Sequence, residues 1–138
     1  MRIAFIDSVH PVLGERLSAA GHEVVMHHTA DDAELASALT DVQGIVVRSR
    51  RVGSDLLASA KGLRFIARVG SGLENIDTAY CRQNDIRVFN SPEGNRDGVG
   101  ETCVMLLLAL MKALVRANSQ VHGGLWLREE NRGTDLRG

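Results

Sequence analysis

Short apolar runs alternate with stretches of helical spacing from the first residues of the chain to about residue 90. A parallel sheet with helices on both faces is the arrangement that such an alternation predicts. The predicted strands are residues 3–6, 23–26, 44–47, 63–69 and 86–89, and the predicted helices are about residues 11–20, 30–39, 54–60 and 76–83. The rhythm therefore predicts an α/β domain with a flavodoxin-like open sheet of five parallel strands.

The pattern changes beyond residue 90. Residues 91–100 are polar, carry glycines and show no periodicity, so they predict a loop. Residues 101–115 predict a helix that is apolar on nearly all sides, and one small sheet cannot cover such a helix. Residues 118–138 are polar and predict a connector. The domain boundary is predicted after residue 97, with the apolar helix and the connector in residues 98–138.

Composition and charge exclude several classes of partner. The chain has 16 basic and 17 acidic residues, so no global field favours nucleic acid or an anionic membrane. The first residues are strand-like and lack the pattern of a secretion signal, so secretion is not expected, and the apolar run at residues 103–111 is too short to cross a bilayer. Cys81 and Cys103 suit reduced thiols in a cytoplasmic protein. The five histidines lack metal-ligand spacing, so no metal site is predicted.

The residues that follow the strands are the candidates for chemistry, because ligands of open parallel sheets bind beyond the carboxyl ends of the strands. Residues 48–51, Arg-Ser-Arg-Arg, could hold a carboxylate or phosphate, or form an ordinary basic turn. Residues 69–72 carry two glycines that let a backbone approach an anion, or that serve a tight turn. Residues 90–96 form a third loop, in which Asn95 offers both donors and acceptors.

Three familiar uses of this fold class do not fit these loops. A dinucleotide fingerprint would need a third glycine at its proper spacing after Gly72, and none stands there. A response-regulator receiver would need an acidic residue after the third strand, where Arg48 stands. A flavodoxin would need a hydroxyl-rich phosphate loop after the first strand, where residues 7–11 read Asp-Ser-Val-His-Pro.

Four blocks, taken in order, carry a resemblance to one enzyme family. They are residues 45–49 (Ile-Val-Val-Arg-Ser), residues 68–77 (Arg-Val-Gly-Ser-Gly-Leu-Glu-Asn-Ile-Asp), residues 90–95 with Glu101, and residues 124–126 with residues 133–138. Together they resemble the D-isomer-specific 2-hydroxyacid dehydrogenases, and the phosphoglycerate branch of that family most closely. The last block resembles the lead-in to the first strand of the family's cofactor domain. The order of the blocks is more specific than any single loop.

The resemblance implies an oxidoreductase that transfers hydride between a D-2-hydroxyacid, 3-phosphoglycerate in the branch it resembles most, and NAD. It implies that two side chains bind the anionic end of the substrate, that a backbone segment meets its carboxylate, and that later residues complete the cleft. In chain order the expected substrate-binding residues are Arg48, Ser49, Val69, Gly70, Ser71, Asn95 and Arg128, and Ser71 is also expected to touch the cofactor.

The same resemblance implies that no catalytic residue lies in this segment. In the family, the phosphate-binding glycine loop, the ribose-binding acid and the catalytic arginine, glutamate and histidine come later in the chain. Residues 98–138 are then expected to be an interdomain and dimerisation helix, with a connector to an absent NAD-binding domain that holds most of the cofactor. A homodimer is expected, and the choice of NAD over NADP stays open. The alternative is a non-catalytic flavodoxin-like module that binds a small anion.

Overall fold

The computed structural model describes residues 1–137, which form two compact units, Met1–Gly94 and the residues from Asn95 onward. The elements in chain order are β1 (Arg2–Phe5), α1 (Pro11–Ala19), β2 (Glu23–Met26), α2 (Asp32–Ala38), β3 (Gly44–Val47), α3 (Ser54–Leu57), β4 (Phe65–Arg68), α4 (Thr78–Gln83), β5 (Arg87–Phe89), α5 (Glu93–Met111) and α6 (Leu114–His122). The division into units lies close to the boundary predicted after residue 97.

The first unit contains a five-stranded parallel sheet with the strand order β2-β1-β3-β4-β5. Every neighbouring pair of strands runs parallel, with Ile3 opposite both Val24 and Gly44, and Gly44 opposite Phe65. The predicted flavodoxin-like fold is confirmed. This order places β1 beside β3, so the loops that leave these two strands meet at the same edge.

Apolar residues cover both faces of the sheet, because successive strand residues point to opposite sides. On one face, the strand residues Ala4, Ile6, Ile45, Val47 and Ile66 pack with the helix residues Leu35, Leu56, Leu57 and Cys81. On the other face, Ile3, Phe5 and Val46 pack against Leu13 and Leu17 of α1. The runs of consecutive apolar residues that predicted buried strands are explained by this two-sided covering.

Side chains at the start of α2 and α4 cap the N-termini of these two helices. Asp31 Oδ1 accepts hydrogen bonds from the backbone N–H groups of Ala33 and Glu34 at 2.9 and 2.8 Å. In turn, Glu34 Oε2 accepts a hydrogen bond from the Asp31 N–H. This capping box satisfies N–H groups that have no partner inside the helix. Asp77 caps α4 in the same way, accepting from the Tyr80 N–H at 2.9 Å.

The second unit corrects the prediction for residues 91–100 and for the helix that follows. The predicted loop is helical from Glu93, and the helix predicted to reach residue 115 ends at Met111. Pro92 and Glu93 favour a first helical turn, and Gly98 and Gly100 weaken a helix without breaking it. Ala113 then adopts a left-handed conformation with φ 50°, and α6 continues at an angle of 61° to α5.

The residues after α6 fold back onto this bent pair of helices, so the predicted connector is partly structured. The N–H of Thr134 donates to the Met111 carbonyl at 3.0 Å. Arg116 Nε donates to Asn131 Oδ1 at 2.9 Å, and Lys112 forms an ion pair with Asp135. Gly133 lies so close to the Met111 carbonyl and the Lys112 Cα that an added Cβ would sit 2.6 and 2.7 Å from them.

The helix α5 exposes apolar side chains along its length, as its sequence predicts. The exposed large apolar residues of α5 are Val99, Val104, Met105, Leu106, Leu107, Leu108 and Leu110, and the exposed fraction of Leu110 reaches 79%. In the described part of the chain no single helix is long and apolar enough to cross a membrane, and α5 with α6 meet that criterion only as a bent pair.

Candidate functional site

The loops after β3 and β4 leave the sheet side by side. Val47 and Arg68 are opposite each other at the end of the two strands, and the Val69 N–H donates to the Val47 carbonyl at 2.8 Å. The next residues, Arg48 and Ser49 on one loop and Gly70 on the other, therefore begin at the same edge. Five of the predicted substrate-binding residues belong to these two loops of the first unit.

The carboxylate of Asp7 lies beneath the loop after β3. Its Oδ2 accepts hydrogen bonds from three consecutive backbone N–H groups, those of Arg48, Ser49 and Arg50, at 2.8, 2.8 and 2.9 Å. The Ser49 hydroxyl lies 3.5 Å from Asp7 Oδ1. The loop backbone is thus already occupied by an internal anion. An external anion can reach only the side chains here.

These contacts set the ionisation of Asp7. Partial burial alone would raise its pKa, but the hydrogen bonds from the N–H groups of Arg50, Arg48 and Ser49, with the charge of Arg50, outweigh burial. The pKa of Asp7 is therefore lowered from its ordinary value of 3.8. Asp7 holds the loop as a carboxylate at neutral pH.

The arginines of this loop have different roles. Arg50 Nη2 donates to the Ala30 carbonyl at 2.8 Å and to Asp32 Oδ1 at 2.9 Å, so its guanidinium fastens the loop to the start of α2. Arg48 and Arg51 are exposed, and neither side chain has an acceptor within residues 1–137. Arg48 is therefore an exposed cation, and its role in binding stays a prediction, whereas Arg50 fastens the loop to α2.

The loop after β4 leaves backbone N–H groups without an acceptor among the described residues, that of Ser71 included. The N–H groups of Val69 and Gly70 donate to the carbonyls of Val47 and Arg68 at 2.8 and 3.0 Å. The N–H of Ser71 has no acceptor among the described residues, and its side chain is exposed. Gly70 adopts φ 143°, a conformation that a residue with a Cβ rarely takes.

The loop after β5 is fastened to the loop after β4. The Ser91 N–H donates to the Gly70 carbonyl at 2.8 Å, and Asn90 Nδ2 donates to the Ser71 carbonyl at 2.6 Å. The three loops named by the sequence analysis are therefore joined at one edge as far as Ser91. Their hydrogen bonds hold the Ser71 N–H in a defined position.

Arg68 is a further cation in this site, and no role was predicted for it from the sequence. The guanidinium of Arg68 folds over Gly70, where a Cβ would come within 2.6 Å of Arg68 Cζ. Its Nε is buried and has no hydrogen-bond partner in the described structure. An arginine at the last position of a strand, followed by a glycine, is the signal that could have found it.

The two other predicted residues belong to the second unit. Asn95 lies exposed in the first turns of α5, and Arg128 lies exposed after α6 with its Nε 4.0 Å from Glu129 Oε1. The roles of Asn95 and Arg128 in substrate binding stay predictions.

The glycine loop at residues 69–72 does not have the geometry of a dinucleotide-binding turn. In such a turn a helix begins directly after the glycines and its N-terminus faces the pyrophosphate. Here Ile76 first forms a bridge with Val52, and α4 begins only at Thr78. Within residues 1–137 there is also no cluster of three or more histidine, cysteine, aspartate or glutamate side chains suited to a metal.

A sheet of this order, with a cationic edge and glycine-bearing loops, is the architecture of one family's substrate-binding domain. The sequence model of the family described as "D-isomer specific 2-hydroxyacid dehydrogenase, catalytic domain" matches residues 3–131. The chain belongs to the D-isomer-specific 2-hydroxyacid dehydrogenase family. The resemblance stated from four sequence blocks is thereby confirmed.

Individual proteins of known name are similar to this chain along nearly its whole length. The chain is 32% identical over 138 residues to D-3-phosphoglycerate dehydrogenase of Sus scrofa, a match that covers 99% of this chain and 26% of that protein. The chain thus spans about a quarter of the length of the curated relative.

Two solved structures have the same fold. An NAD+-bound 3-phosphoglycerate dehydrogenase of Entamoeba histolytica is 31% identical with a TM-score of 0.67, over 81% of this chain and 39% of that one. An NADPH-dependent glyoxylate/hydroxypyruvate reductase of Sinorhizobium meliloti, solved with NADP and malonate, is 28% identical with a TM-score of 0.75, over 99% and 43% of the two chains.

Proposed function

We propose that this chain is the substrate-binding part of an NAD-dependent dehydrogenase that acts on a D-2-hydroxyacid, with 3-phosphoglycerate as the substrate. The observation that carries the proposal is the cationic edge of the sheet. Arg48 is exposed, Arg68 lies beside Gly70, and within residues 1–137 neither the Arg48 guanidinium nor the Ser71 N–H has an acceptor. These groups suit a small molecule with a carboxylate and a second anionic group.

Each group would contribute differently to binding. The guanidinium of Arg48 forms charge-assisted hydrogen bonds with an anionic oxygen, and the Ser49 hydroxyl adds a donor at the same end of the substrate. On the opposite side, the Ser71 N–H and the flexible Arg68 side chain meet the carboxylate. Val69 and Gly70 shape this wall, since their own N–H groups are engaged. Asn95 and Arg128 are also proposed to bind the substrate, which the family resemblance alone supports.

The cofactor is proposed to be NAD, held mainly by a domain outside this chain. The described residues fit only a limited contact, because they offer Ser71 at the sheet edge and no pyrophosphate-binding turn. When bound, the nicotinamide would accept or supply the hydride. The residues of this chain would bind the substrate and orient it toward that group.

We further propose a cytoplasmic homodimer without affinity for nucleic acid or membranes. The near balance of 16 basic and 17 acidic residues supports the lack of polyanion binding. The exposed apolar side chains of α5 support a subunit interface there.

The 138-residue chain alone is predicted to have no dehydrogenase activity, because no catalytic residue is assigned to it and it lacks a dinucleotide-binding turn. Incubation with 3-phosphoglycerate and NAD should give no increase in NADH absorbance above a buffer control. Turnover that Arg48→Ala abolishes would contradict this division of roles.

Binding is the direct test of the proposed function. Titration of the ¹⁵N-labelled chain with 3-phosphoglycerate should shift the amide resonances of Arg48, Ser49 and Ser71, and glycerol as a neutral control should not. A non-catalytic module for small anions would respond equally to inorganic phosphate. No response to any of these anions would refute both functions.

A further inference from the structure

The loop after β3 binds its proposed ligand through side chains alone, because its backbone is already filled. Three consecutive N–H groups that converge on one point form an anion-binding concavity. Here Asp7 Oδ2 occupies that concavity at 2.8 to 2.9 Å from all three nitrogens, those of Arg48, Ser49 and Arg50. The internal carboxylate takes the place that an external phosphate or carboxylate would otherwise take.

Other contacts hold the loop at its far end. The Arg50 carbonyl accepts from Asn75 Nδ2 at 2.8 Å, and the Val52 N–H donates to the Asn75 carbonyl at 2.7 Å. The guanidinium of Arg50 is fastened to Ala30 and Asp32. Arg48 and Ser49 have no such support of their own, so Asp7 is the one side chain in the described structure that fixes their backbone.

We propose that Asp7 is a positioning residue for substrate binding: it holds the backbone of residues 48–50 so that the Arg48 guanidinium and the Ser49 hydroxyl face the ligand, and it keeps external anions out of the backbone concavity. The inference rests on the proposed function, since it assigns Asp7 a role in binding the same substrate. Asp7 itself does not touch the substrate.

Two substitutions separate the geometry of Asp7 from its charge. Asp7→Asn keeps one side-chain oxygen that can accept the three N–H bonds, whereas Asp7→Ala removes every acceptor. We expect the affinity for 3-phosphoglycerate to fall about tenfold or more in Asp7→Ala and about two- to fivefold in Asp7→Asn, because charge-assisted bonds are the stronger ones. Asp41→Asn is the matched control. Asp41 is exposed and pairs with Arg2, which lies at the opposite edge of the sheet.

Formate supplies a readout that a purely structural role would not move. The space left in Asp7→Ala exposes the three N–H groups, so added sodium formate should shift the amide resonances of residues 48–50 and restore part of the affinity for 3-phosphoglycerate. Wild type and Asp41→Asn should show neither effect, and sodium chloride at equal ionic strength controls for screening.

The outcomes distinguish this proposal from the proposed function. Wild-type affinity in Asp7→Ala, or loss of affinity with unchanged amide exchange at residues 48–50, would overturn the positioning role. If wild type does not bind 3-phosphoglycerate, the proposed substrate is wrong, and the role of Asp7 is then judged on amide exchange and the formate titration. If Asp7→Ala fails to fold, the proposal stands or falls on whether Asp7→Asn weakens binding while Asp41→Asn does not.

Discussion

Arg48 and Arg50 are two residues apart and yet serve opposite purposes. Nη2 of Arg50 donates to the Ala30 carbonyl and to Asp32, whereas the guanidinium of Arg48 has no acceptor within residues 1–137. The difference follows from direction: after Val47 the chain turns over Asp7, which leaves Arg48 on the open edge and brings Arg50 against α2. Because the Arg48 guanidinium is exposed, its charge carries little desolvation cost, and it is available to a ligand.

Replacing Arg48 with alanine is expected to weaken the binding of 3-phosphoglycerate by about 1.5 to 3 kcal/mol for each hydrogen bond lost to a charged group. Isothermal titration calorimetry of the chain measures the effect. Arg64→Ala is the matched control, because Arg64 is exposed directly before β4, at the opposite edge of the sheet. Equal affinities in the two variants would show that the loop after β3 is only a solvated basic turn.

Acid should selectively weaken the contribution of Asp7 to stability. Its folded-state pKa lies below the ordinary 3.8, so its stabilising effect is complete above the unfolded pKa and disappears as the pH falls through the folded value. We expect the difference in unfolding free energy between wild type and Asp7→Asn to be constant from about pH 7 to 5 and to shrink below about pH 4. Urea denaturation at several pH values measures it, and a difference that shrinks already above about pH 5 would contradict the lowered pKa.

The strands of this fold could be predicted from the sequence with an error of no more than two residues at any end. Residues 23–26 and 44–47 were predicted with the bounds that the structure shows. Residues 44–47 are fully buried, as a continuous apolar run predicts, whereas residues 23–26 form the half-exposed edge strand β2. The start of α5 was predicted wrongly. The sequence there carries glycines and polar residues, which weaken a helix but do not forbid one where nothing competes with it.

The candidate site could be predicted from the sequence only in part. Residues just after strands are candidates whatever the strand order, so Arg48 and Ser71 could be named as candidates from the sequence. The role of Asp7 depends on β1 lying next to β3, which is a property of the sheet as a whole. The role of Arg68 depends on how its side chain folds over Gly70, and spacing does not encode that direction.

The second unit offers a paired test at the level of its elements. Gly133→Ala should detach the tail from the bend between α5 and α6, because its methyl group would meet the backbone at Met111 and Lys112. Gly100→Ala should instead stabilise α5 by about 0.5 to 1 kcal/mol, since nothing lies within 4 Å of an added Cβ there and alanine favours a helix.

Amide hydrogen exchange at Thr134 reports the detachment, because its N–H donates to the Met111 carbonyl. Exchange should accelerate in Gly133→Ala and stay unchanged in Gly100→Ala. If Thr134 remains protected in Gly133→Ala, the tail accommodates the methyl group and the close packing described here is not essential.

For the molecule as a whole, the apolar surface of α5 favours association. Leu107→Asp should shift the chain from dimer toward monomer at micromolar concentration, because a carboxylate cannot be buried unpaired in an apolar interface. Analytical ultracentrifugation measures the distribution. Val121→Asp on α6 is the matched control, with an exposed fraction of 50% against 46% for Leu107. A soluble wild-type monomer would contradict the proposed interface.

The strand order also has a consequence for synthesis on the ribosome. β1 emerges first and lies inside the sheet, with β2 on one side and β3 on the other, and β4 and β5 then add outward one after the other. Each new strand can pair with a strand that has already been synthesised, and none has to be inserted between two earlier strands. The sheet can therefore grow in the direction of translation, with one exposed edge waiting for the next segment and little time for that edge to pair with another chain.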